Sequence, residues 1–304
     1  AIARKGGFSS AAAEVHVAQP ALSQQIAQLE AELGAQLLDR HSRGVTLTKS
    51  GQKFLTHAEK ILADVQNIRD VFSDEQDEIK GEITFGMPTT TVAMLAVPLV
   101  QAAHDRYPGI SLRIVEAMTG HLYEWMESGD LDLALLYNVE DSDVYRSVPL
   151  VDEDLYLFGH QSRLVPDVDV FEFRDLQNLP FITVSNRHLL RQMIDAYAAR
   201  AKCELNIAFE LDSLDQIKTL VGDGVGYTIL PATAASPEWC GDQVKRWKIT
   251  KPNMCLHTSV GASADREMTN ALQEMTKLTV EVASGLIENG SWPLGRMPAE
   301  YHQH

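Results

Sequence analysis

Polar side chains between residues 19 and 28 are of the types that read DNA. Gln19, Ser23, Gln24 and Gln28 can hydrogen-bond to base edges or to phosphates in a major groove. Apolar residues interleave with them at steps of four, three and four, a spacing that predicts one apolar helix face; they are Leu22, Ile26, Leu29 and Leu33. The segment therefore predicts a helix with a core-facing side and a polar side suited to DNA.

Two short helices joined by a tight turn position these side chains. We expect Ser9 to cap a first helix that runs through Ala13, with residues 16–18 as the turn. Pro20 opens the second helix, at a position where its missing N–H costs nothing. An ordinary helical hairpin would show the same period, so the spacing predicts the helices and leaves the DNA contact open.

A short basic hairpin is predicted after Gly34, which ends the second helix. Residues 37–48 would form this hairpin and would carry Arg40 and Arg43. Thr48 is a natural N-cap for the long helix that follows. Such a hairpin beside a helix-turn-helix has the character of a wing.

This extended pattern resembles the winged helix-turn-helix of the LysR-type transcriptional regulators. The matching runs are residues 11–13, 19–23, 29–30, 37–40 and 46–48. The resemblance implies a double-stranded promoter DNA partner with an imperfect inverted repeat, bound by a homo-oligomer, either a dimer or a tetramer. The implied DNA-binding residues are Ser9, Gln19, Pro20, Ser23, Gln24, Gln28, Arg40 and Arg43.

Two departures from the family pattern bear on this resemblance. Gln24 stands where Arg is common, which leaves the base preference open. Family members also carry further residues before the point at which this sequence starts, so we expect the N-terminal domain to be incomplete. Residues 121–125 and 133–138 are similar to the branch around the nitrogen assimilation control regulators.

Charge is unevenly distributed along the 304 residues. Residues 1–60 carry seven basic and five acidic side chains, a formal charge of +2, whereas the whole chain carries −16 and the remainder therefore −18. Because phosphate attraction requires local positive charge, we expect DNA contact only within the first 60 residues. A charge of +2 is modest, so affinity should depend on pairing two copies.

A long helix is predicted between the two functional parts, over residues 54–80. Within it, apolar residues recur in a heptad-like stripe that suits pairing with a second copy; they are Ile61, Val65, Ile68 and Phe72. The alternative is that the stripe packs on its own domain. The resemblance favours pairing, because in the family this segment is the linker helix of a dimer.

From Gly81 the sequence alternates between predicted strands and helices, which favours a mostly parallel sheet with helices on both faces. The resemblance implies an α/β two-lobed, periplasmic-binding-protein-like effector domain. The predicted fold class is multidomain: an N-terminal all-α winged helix-turn-helix, a linker helix and this α/β domain. The predicted boundaries are 1–53, 54–80, 81–290 (lobe I 81–155 and 232–290, lobe II 156–231) and a tail 291–304.

Hydroxyl and amide side chains follow strands in both lobes, where helix N-termini favour an anion. We expect Thr90 and Ser185 to contact a small anionic effector directly. The residues beside them are Thr89, Thr91 and Asn186, and weaker candidates are Thr119 and Tyr137. Each could instead be a plain helix cap.

The remaining titratable residues predict neither catalysis nor a cofactor. The three cysteines lack C-x-x-C spacing, so we expect free thiols in a reducing cytoplasm, with a redox switch as the alternative. We expect no metal site, no catalytic residues, no cofactor and no membrane segment. The alternative function is a solute-binding or sensor protein without specific DNA recognition.

Overall fold

The computed structural model describes residues 1–41, 44–71, 79–139, 144–163, 169–235, 237–240 and 243–299. Two compact units divide the chain, residues 1–74 and residues 75–304. Among the described residues, no helix combines the length and apolar character needed to cross a bilayer.

The first unit holds two short helices, a longer helix, a two-stranded hairpin and a long final helix. A small core joins them, formed by buried Ile2, Ala11, Leu37 and Leu38 with half-buried Leu22, Ile26 and Leu29 against it. The elements are α1 (Ile2–Lys5), α2 (Phe8–Glu14), α3 (Gln19–Leu33), β1 (Leu38–His41), β2 (Gly44–Leu47) and α4 (Lys49–Val71).

The predicted cap of the first helix of the turn motif is wrong. Helix α2 begins at Phe8, so Ser9 lies inside it, and the N-cap residue is Gly7 in an extended conformation. The reason lies in Gly6, whose left-handed backbone (φ 66°) ends α1 and lets α2 start directly after Gly7. Leu33 also differs from expectation, because it is 49% exposed and is not part of the small core.

Helix α4 starts where the sequence predicts a cap. The Thr48 hydroxyl accepts a hydrogen bond from the Gly51 backbone N–H at 2.9 Å, which confirms Thr48 as its N-cap. Gly51 is required there, because a Cβ at this position would lie 1.9 Å from the carbonyl oxygen of Leu37. The helix therefore begins five residues before the predicted linker segment.

The apolar stripe of α4 is exposed where it is described. Ile61 is 62% and Val65 44% exposed. Phe72 and the side chain of Ile68 lie outside the described residues. Residues 79–80 are not helical, so the described chain does not carry the predicted helix through to residue 80.

The second unit is built on a ten-stranded sheet with the order β4-β3-β5-β12-β6-β10-β8-β9, while β11 pairs with both β6 and β7. Pairing is parallel within each side of the sheet (β4-β3-β5, β10-β8-β9) and antiparallel around β6 and β12 in the centre. The strands are β3 (Gly81–Pro88), β4 (Ile110–Ala117), β5 (Leu133–Tyr137), β6 (Tyr145–His160), β7 (Val170–Glu172), β8 (Pro180–Thr183), β9 (Asn206–Glu210), β10 (Tyr227–Pro231), β11 (Val244–Thr250) and β12 (Cys255–Ser263).

Helices pack on this sheet and bury two main apolar cores. One core surrounds Phe85, Leu95 and Leu272, and the other surrounds Phe173 and Trp247. The helices are α5 (Thr89–Arg106), α6 (Thr119–Ser128), α7 (Leu189–Ala201), α8 (Leu214–Gly222), α9 (Pro237–Cys240) and α10 (Asn270–Glu288).

The two lobes share strand β6. Its first part, Tyr145–Asp154, pairs with β12, and its second part pairs with β10 and β11. The expectation that residues 244–249 complete lobe I is wrong, because β11 pairs with residues 156–160 of β6 and buries Trp247 in the second core. The chain returns to lobe I only with β12.

Candidate functional site

The candidate DNA-reading surface is the polar side of α3. Gln19, Pro20, Gln24 and Gln28 are exposed along it, while Ser23 is half-buried. Pro20 lies in the first helical turn, as predicted, where a backbone N–H would have no intrahelical acceptor. The structure thus brings the predicted α3 side chains onto one surface, with half-buried Leu22, Ile26 and Leu29 on the other side.

Arg40 of the hairpin is tied to both helices of the turn motif. Its guanidinium lies 4.5 Å from the centre of the Phe8 ring and donates to the Ser23 hydroxyl at 3.2 Å. A cation over a ring face is attracted by the ring quadrupole. Arg40 therefore fixes the position of the hairpin relative to α2 and α3 and remains exposed beside α3.

Backbone contacts hold the hairpin against the rest of this unit. The Val45 N–H donates to the Gly6 carbonyl at 2.8 Å. The Glu30 carboxylate accepts from the N–H groups of Leu37 and Leu38 at 2.8 and 3.1 Å, so α3 anchors the segment that leads into the hairpin. Arg43, the other predicted hairpin residue, lies outside the described residues.

Two of the predicted DNA-binding residues, Gln28 and Ser9, are placed in ways that helical periodicity does not predict. The Gln28 amide donates to Glu32 at 3.0 Å along α3. Ser9 is exposed on α2 and does not cap it. Both side chains stay at the surface of the unit.

In the second unit, the start of α5 meets the end of β5. The Thr90 and Thr91 hydroxyls lie 2.9 and 3.4 Å from the Tyr137 hydroxyl. Tyr137 is buried, and burial raises its pKa to about 12. Thr90, Thr91 and Tyr137 therefore lie together near the ends of the neighbouring parallel strands β3 and β5, and Thr89 precedes them at the start of α5.

The starts of α6 and α7 also meet, one from each lobe. The Thr119 hydroxyl accepts from the Leu189 backbone N–H at 3.3 Å. Gly120 makes this approach possible, because a Cβ there would lie 3.0 Å from the Arg187 carbonyl oxygen. Tyr123 of α6 donates to the Tyr137 carbonyl at 3.1 Å, which links this contact to the start of α5.

Three helix N-termini thus lie around one lobe junction. The N-cap residues of α5, α6 and α7 make no side-chain capping hydrogen bond. Helix N-termini carry partial positive charge and backbone N–H donors, which favours an anion nearby.

Ser185, in lobe II, hydrogen-bonds to a carboxylate of the same lobe. Its N–H and its hydroxyl both donate to the Asp212 carboxylate, at 2.8 and 3.0 Å. Burial alone would raise the pKa of Asp212, but these hydrogen bonds and the neighbouring His188 and Arg187 lower it. Ser185 therefore lies beside a carboxylate, a poor place for a second negative charge, and Asn186 is exposed next to it.

His188, the N-cap residue of α7, also faces Asp212. The distance from its Nε2 to Asp212 Oδ1 is 3.3 Å, without hydrogen-bond geometry. Burial lowers the pKa of His188, with Asp212 acting in the opposite direction. The sequence could not single out Asp212, because it lies 27 residues from Ser185.

A buried carboxyl that the sequence reasoning missed lies on the inner face of β6. Glu153 is 1% exposed, and its Oε1 has no hydrogen-bond partner among the described residues. Burial raises its pKa to about 7, although Thr233 and Trp292 act to lower it. The sequence contained one indication of this burial. Val151, Glu153 and Leu155 alternate along the strand, so Glu153 shares the buried face of its two apolar neighbours.

Comparison with known proteins agrees with this organisation. Residues 1–52 match the family described as "Bacterial regulatory helix-turn-helix protein, lysR family", and residues 76–284 match the "LysR substrate binding domain". One match lies in each of the two compact units.

Individual relatives extend over most of the chain. The nitrogen assimilation regulatory protein nac of Escherichia coli K12 is 30% identical over 293 residues, 95% of this chain and 94% of that protein. The hydrogen peroxide-inducible genes activator of Escherichia coli O157:H7 is 30% identical over 252 residues, 83% of each. Among solved structures, a full-length OxyR variant from Pseudomonas aeruginosa superposes with a TM-score of 0.69 at 22% identity, covering 93% of this chain and 91% of that chain.

Proposed function

This chain belongs to the LysR family of DNA-binding transcriptional regulators with an effector-binding domain, and from that premise we propose that a small anionic metabolite bound at the lobe junction controls its action. The observation that carries this proposal is the meeting of three helix N-termini around the Thr90–Tyr137 hydroxyl pair and the Thr119–Leu189 contact. We infer that Thr90 and Thr119 are the direct contacts, with Thr89, Thr91 and Tyr137 beside them.

The lobe II side makes a smaller contribution in this proposal. Asp212 occupies the donors of Ser185, so an anionic effector is drawn toward the starts of α5 and α6 and away from Ser185 and Asn186. The effector acts by binding one arrangement of the protein more tightly than another, which is the only way a ligand can shift such an equilibrium.

On the DNA side, we propose that exposed Gln19, Gln24 and Gln28 approach base edges, while Arg40 and Arg43 contact phosphates. The support is that the three glutamines lie on one surface of α3 and that Arg40 contacts Phe8 and Ser23 beside it. The exposed Ile61 and Val65 of α4 favour pairing with a second copy, as a dimer or tetramer, over packing on their own unit. The protein would then act in the cytoplasm, where promoter DNA lies.

Two alternatives receive less support. A solute-binding protein without DNA recognition does not account for a helix-turn-helix match over residues 1–52. A peroxide-type thiol switch requires a reactive thiolate, whereas burial raises the pKa of all three thiols, Cys203, Cys240 and Cys255. A regulatory role, and not an enzymatic one, also fits the relatives.

DNA recognition is tested by retention of fragmented genomic DNA from the host on the purified protein over a salt series. We expect a few fragments that share an inverted repeat, and we expect Arg40→Ala to weaken retention while Lys202→Ala, an exposed change in the other unit, does not. Uniform retention that disappears with salt would contradict specific recognition, since it reports phosphate attraction alone.

Effector binding is tested by screening small carboxylates, phosphates and neutral analogues for a shift in thermal unfolding. The best binder is then compared on Thr90→Val and on Thr219→Val, a matched change on the exposed side of α8. We expect Thr90→Val to weaken binding about tenfold, as for one lost hydrogen bond to a charged group, with DNA retention unchanged. A response to neutral compounds only, or equal binding by both variants, would contradict the anion proposal.

A further inference from the structure

Three side chains of metal-binding type meet on one face of the adjacent strands β6 and β12. Cys255 and His257 are two residues apart on β12, and Asp152 of β6 is the register partner of His257. Side chains two apart on a strand share a face, as do register partners on neighbouring strands. Cys255 and Asp152 are half-buried and His257 is exposed, whereas the intervening Leu256 is buried on the other face.

The donor atoms of these side chains are close together. His257 Nδ1 lies 2.7 Å from Asp152 Oδ1, and one donor atom from each of the three residues lies within 4.8 Å of the others. Donors around a tetrahedral zinc ion are about 3.5 Å apart, given bond lengths of about 2.0–2.3 Å. Small rotations of the Cys255 and His257 side chains therefore suffice to enclose an ion.

The backbone beneath this cluster is held from both sides. Asn138 donates its N–H to the His257 carbonyl at 2.7 Å, and its side-chain oxygen accepts from the His257 N–H at 3.0 Å. Asp152 and Arg296 exchange two backbone hydrogen bonds of 2.8 and 3.0 Å. The three side chains thus extend from a fixed framework, which reduces the ordering needed to bind a ligand.

The charges around the cluster favour a cation. Asp152 and Asp154 face it, and Arg296 opposes them, donating to Asp154 at 2.8 and 3.1 Å and lying 3.8 Å from the Cys255 sulfur. Tyr156 follows on the same face of β6, with Arg246 over its ring at 4.8 Å. With Cys255 as a thiolate, these two carboxylates and Arg296 leave a formal charge of −2, equal and opposite to a divalent ion.

We propose that Asp152, Cys255 and His257 bind a divalent transition-metal ion, for which Zn²⁺ is the best match. A thiolate, an imidazole and a carboxylate are the ligand types that zinc takes, and three protein ligands leave a fourth position for water. Binding releases the Cys255 thiol proton to solvent, and a neutral His257 that binds through Nδ1 keeps its ring proton on Nε2. The adjacent strands β6 and β12 are then linked through one ion.

The test uses the full chain, freed of metal with a chelator and titrated first with Co²⁺ and then with Zn²⁺. We expect one Co²⁺ per chain with a near-ultraviolet thiolate-to-cobalt absorption band, which Zn²⁺ abolishes. Cys255→Ser should remove the band. His257→Asn should weaken binding at least about 100-fold, since even partners one step removed from the metal are worth about 10–100-fold.

Matched controls separate this site from other thiols and from misfolding. Cys240→Ser changes another half-buried thiol and should leave the band and affinity unchanged. Arg296→Met removes the opposing charge and should tighten binding about tenfold, a gain that loss of folding cannot produce. The proposal is overturned if the band is absent from the unsubstituted chain, if it persists in Cys255→Ser, or if Cys240→Ser removes it equally.

Discussion

Replacing Glu153 by Gln is expected to change how the stability of the α/β unit depends on pH. The Glu153 side chain is 1% exposed, and no described group forms a hydrogen bond with its Oε1. The carboxyl is therefore easier to accommodate neutral than charged, because burial penalises the ionised form. Gln has nearly the same shape and stays neutral at every pH.

The size of the effect follows from the pKa. Burial raises the pKa of Glu153 from 4.5 to about 7, so between these values the folded chain holds a proton that the unfolded chain has lost. The folded state is then destabilised progressively as pH rises from 4.5 to 7, and the loss is constant above that range. At about 1.4 kcal/mol for each pH unit, the total is about 3 kcal/mol.

Urea unfolding followed by tryptophan fluorescence measures this loss. All four tryptophans, Trp125, Trp239, Trp247 and Trp292, lie in residues 75–304, so the signal reports the α/β unit. The free energy of unfolding of Glu153→Gln minus that of the unsubstituted chain should rise by about 3 kcal/mol between pH 4.5 and 7.5.

A surface substitution on α6, Glu124→Gln, controls for the loss of one negative charge. Any pH-independent loss of stability caused by the amide in Glu153→Gln cancels, because only the change in the free energy of unfolding with pH is compared. A difference for Glu153→Gln that stays constant across this pH range would refute the reasoning.

Three further substitutions have defined outcomes. Gly51→Ala should abolish retention of DNA while leaving the tryptophan-detected transition unchanged, because its Cβ would lie 1.9 Å from the Leu37 carbonyl oxygen; retained DNA binding would contradict this. Arg266→Met should lower the free energy of unfolding by about 3 kcal/mol, since it leaves the buried Asp132 without its ion-pair partner, and adding Asp132→Asn should restore part of the loss. Tyr137→Phe should cost about 1 kcal/mol for its hydroxyl contacts with α5, and an unchanged urea midpoint would count against those contacts.

Local patterns in the sequence predicted the DNA-binding unit well. The polar face of α3, the role of Thr48 and the early proline depend on residues close together along one helix, where periodicity and capping rules operate. The misplaced cap at Ser9 arose because two successive glycines end one helix and start the next, so Gly7 served as the N-cap without a side chain. The position of Arg40 over Phe8 required the tertiary fold, since these residues are 32 positions apart.

In the α/β unit, the sequence predicted the class of the fold but not every strand pairing. Alternating strands and helices predicted its class, and the hydroxyls after β3 do lie beside Tyr137. The sequence could not assign β11 to lobe II. The apolar residues of β11 could pack in either lobe, and only its pairing with residues 156–160 of β6 decides which. The sequence also could not reveal that Ser185 hydrogen-bonds to Asp212, because these residues are 27 positions apart.

The sequence by itself therefore determined the family resemblance, the two kinds of structural unit, and the surfaces formed by residues close together along the chain. The tertiary structure decided which distant side chains meet: Ser185 with Asp212, and Asp152 with Cys255 and His257, about a hundred residues away. The physical reason is that a one-residue change in strand register moves every side chain to the opposite face. Local periodicity predicts which residues share a face of one strand, whereas the pairing of β6 with β12 exists only in the folded chain.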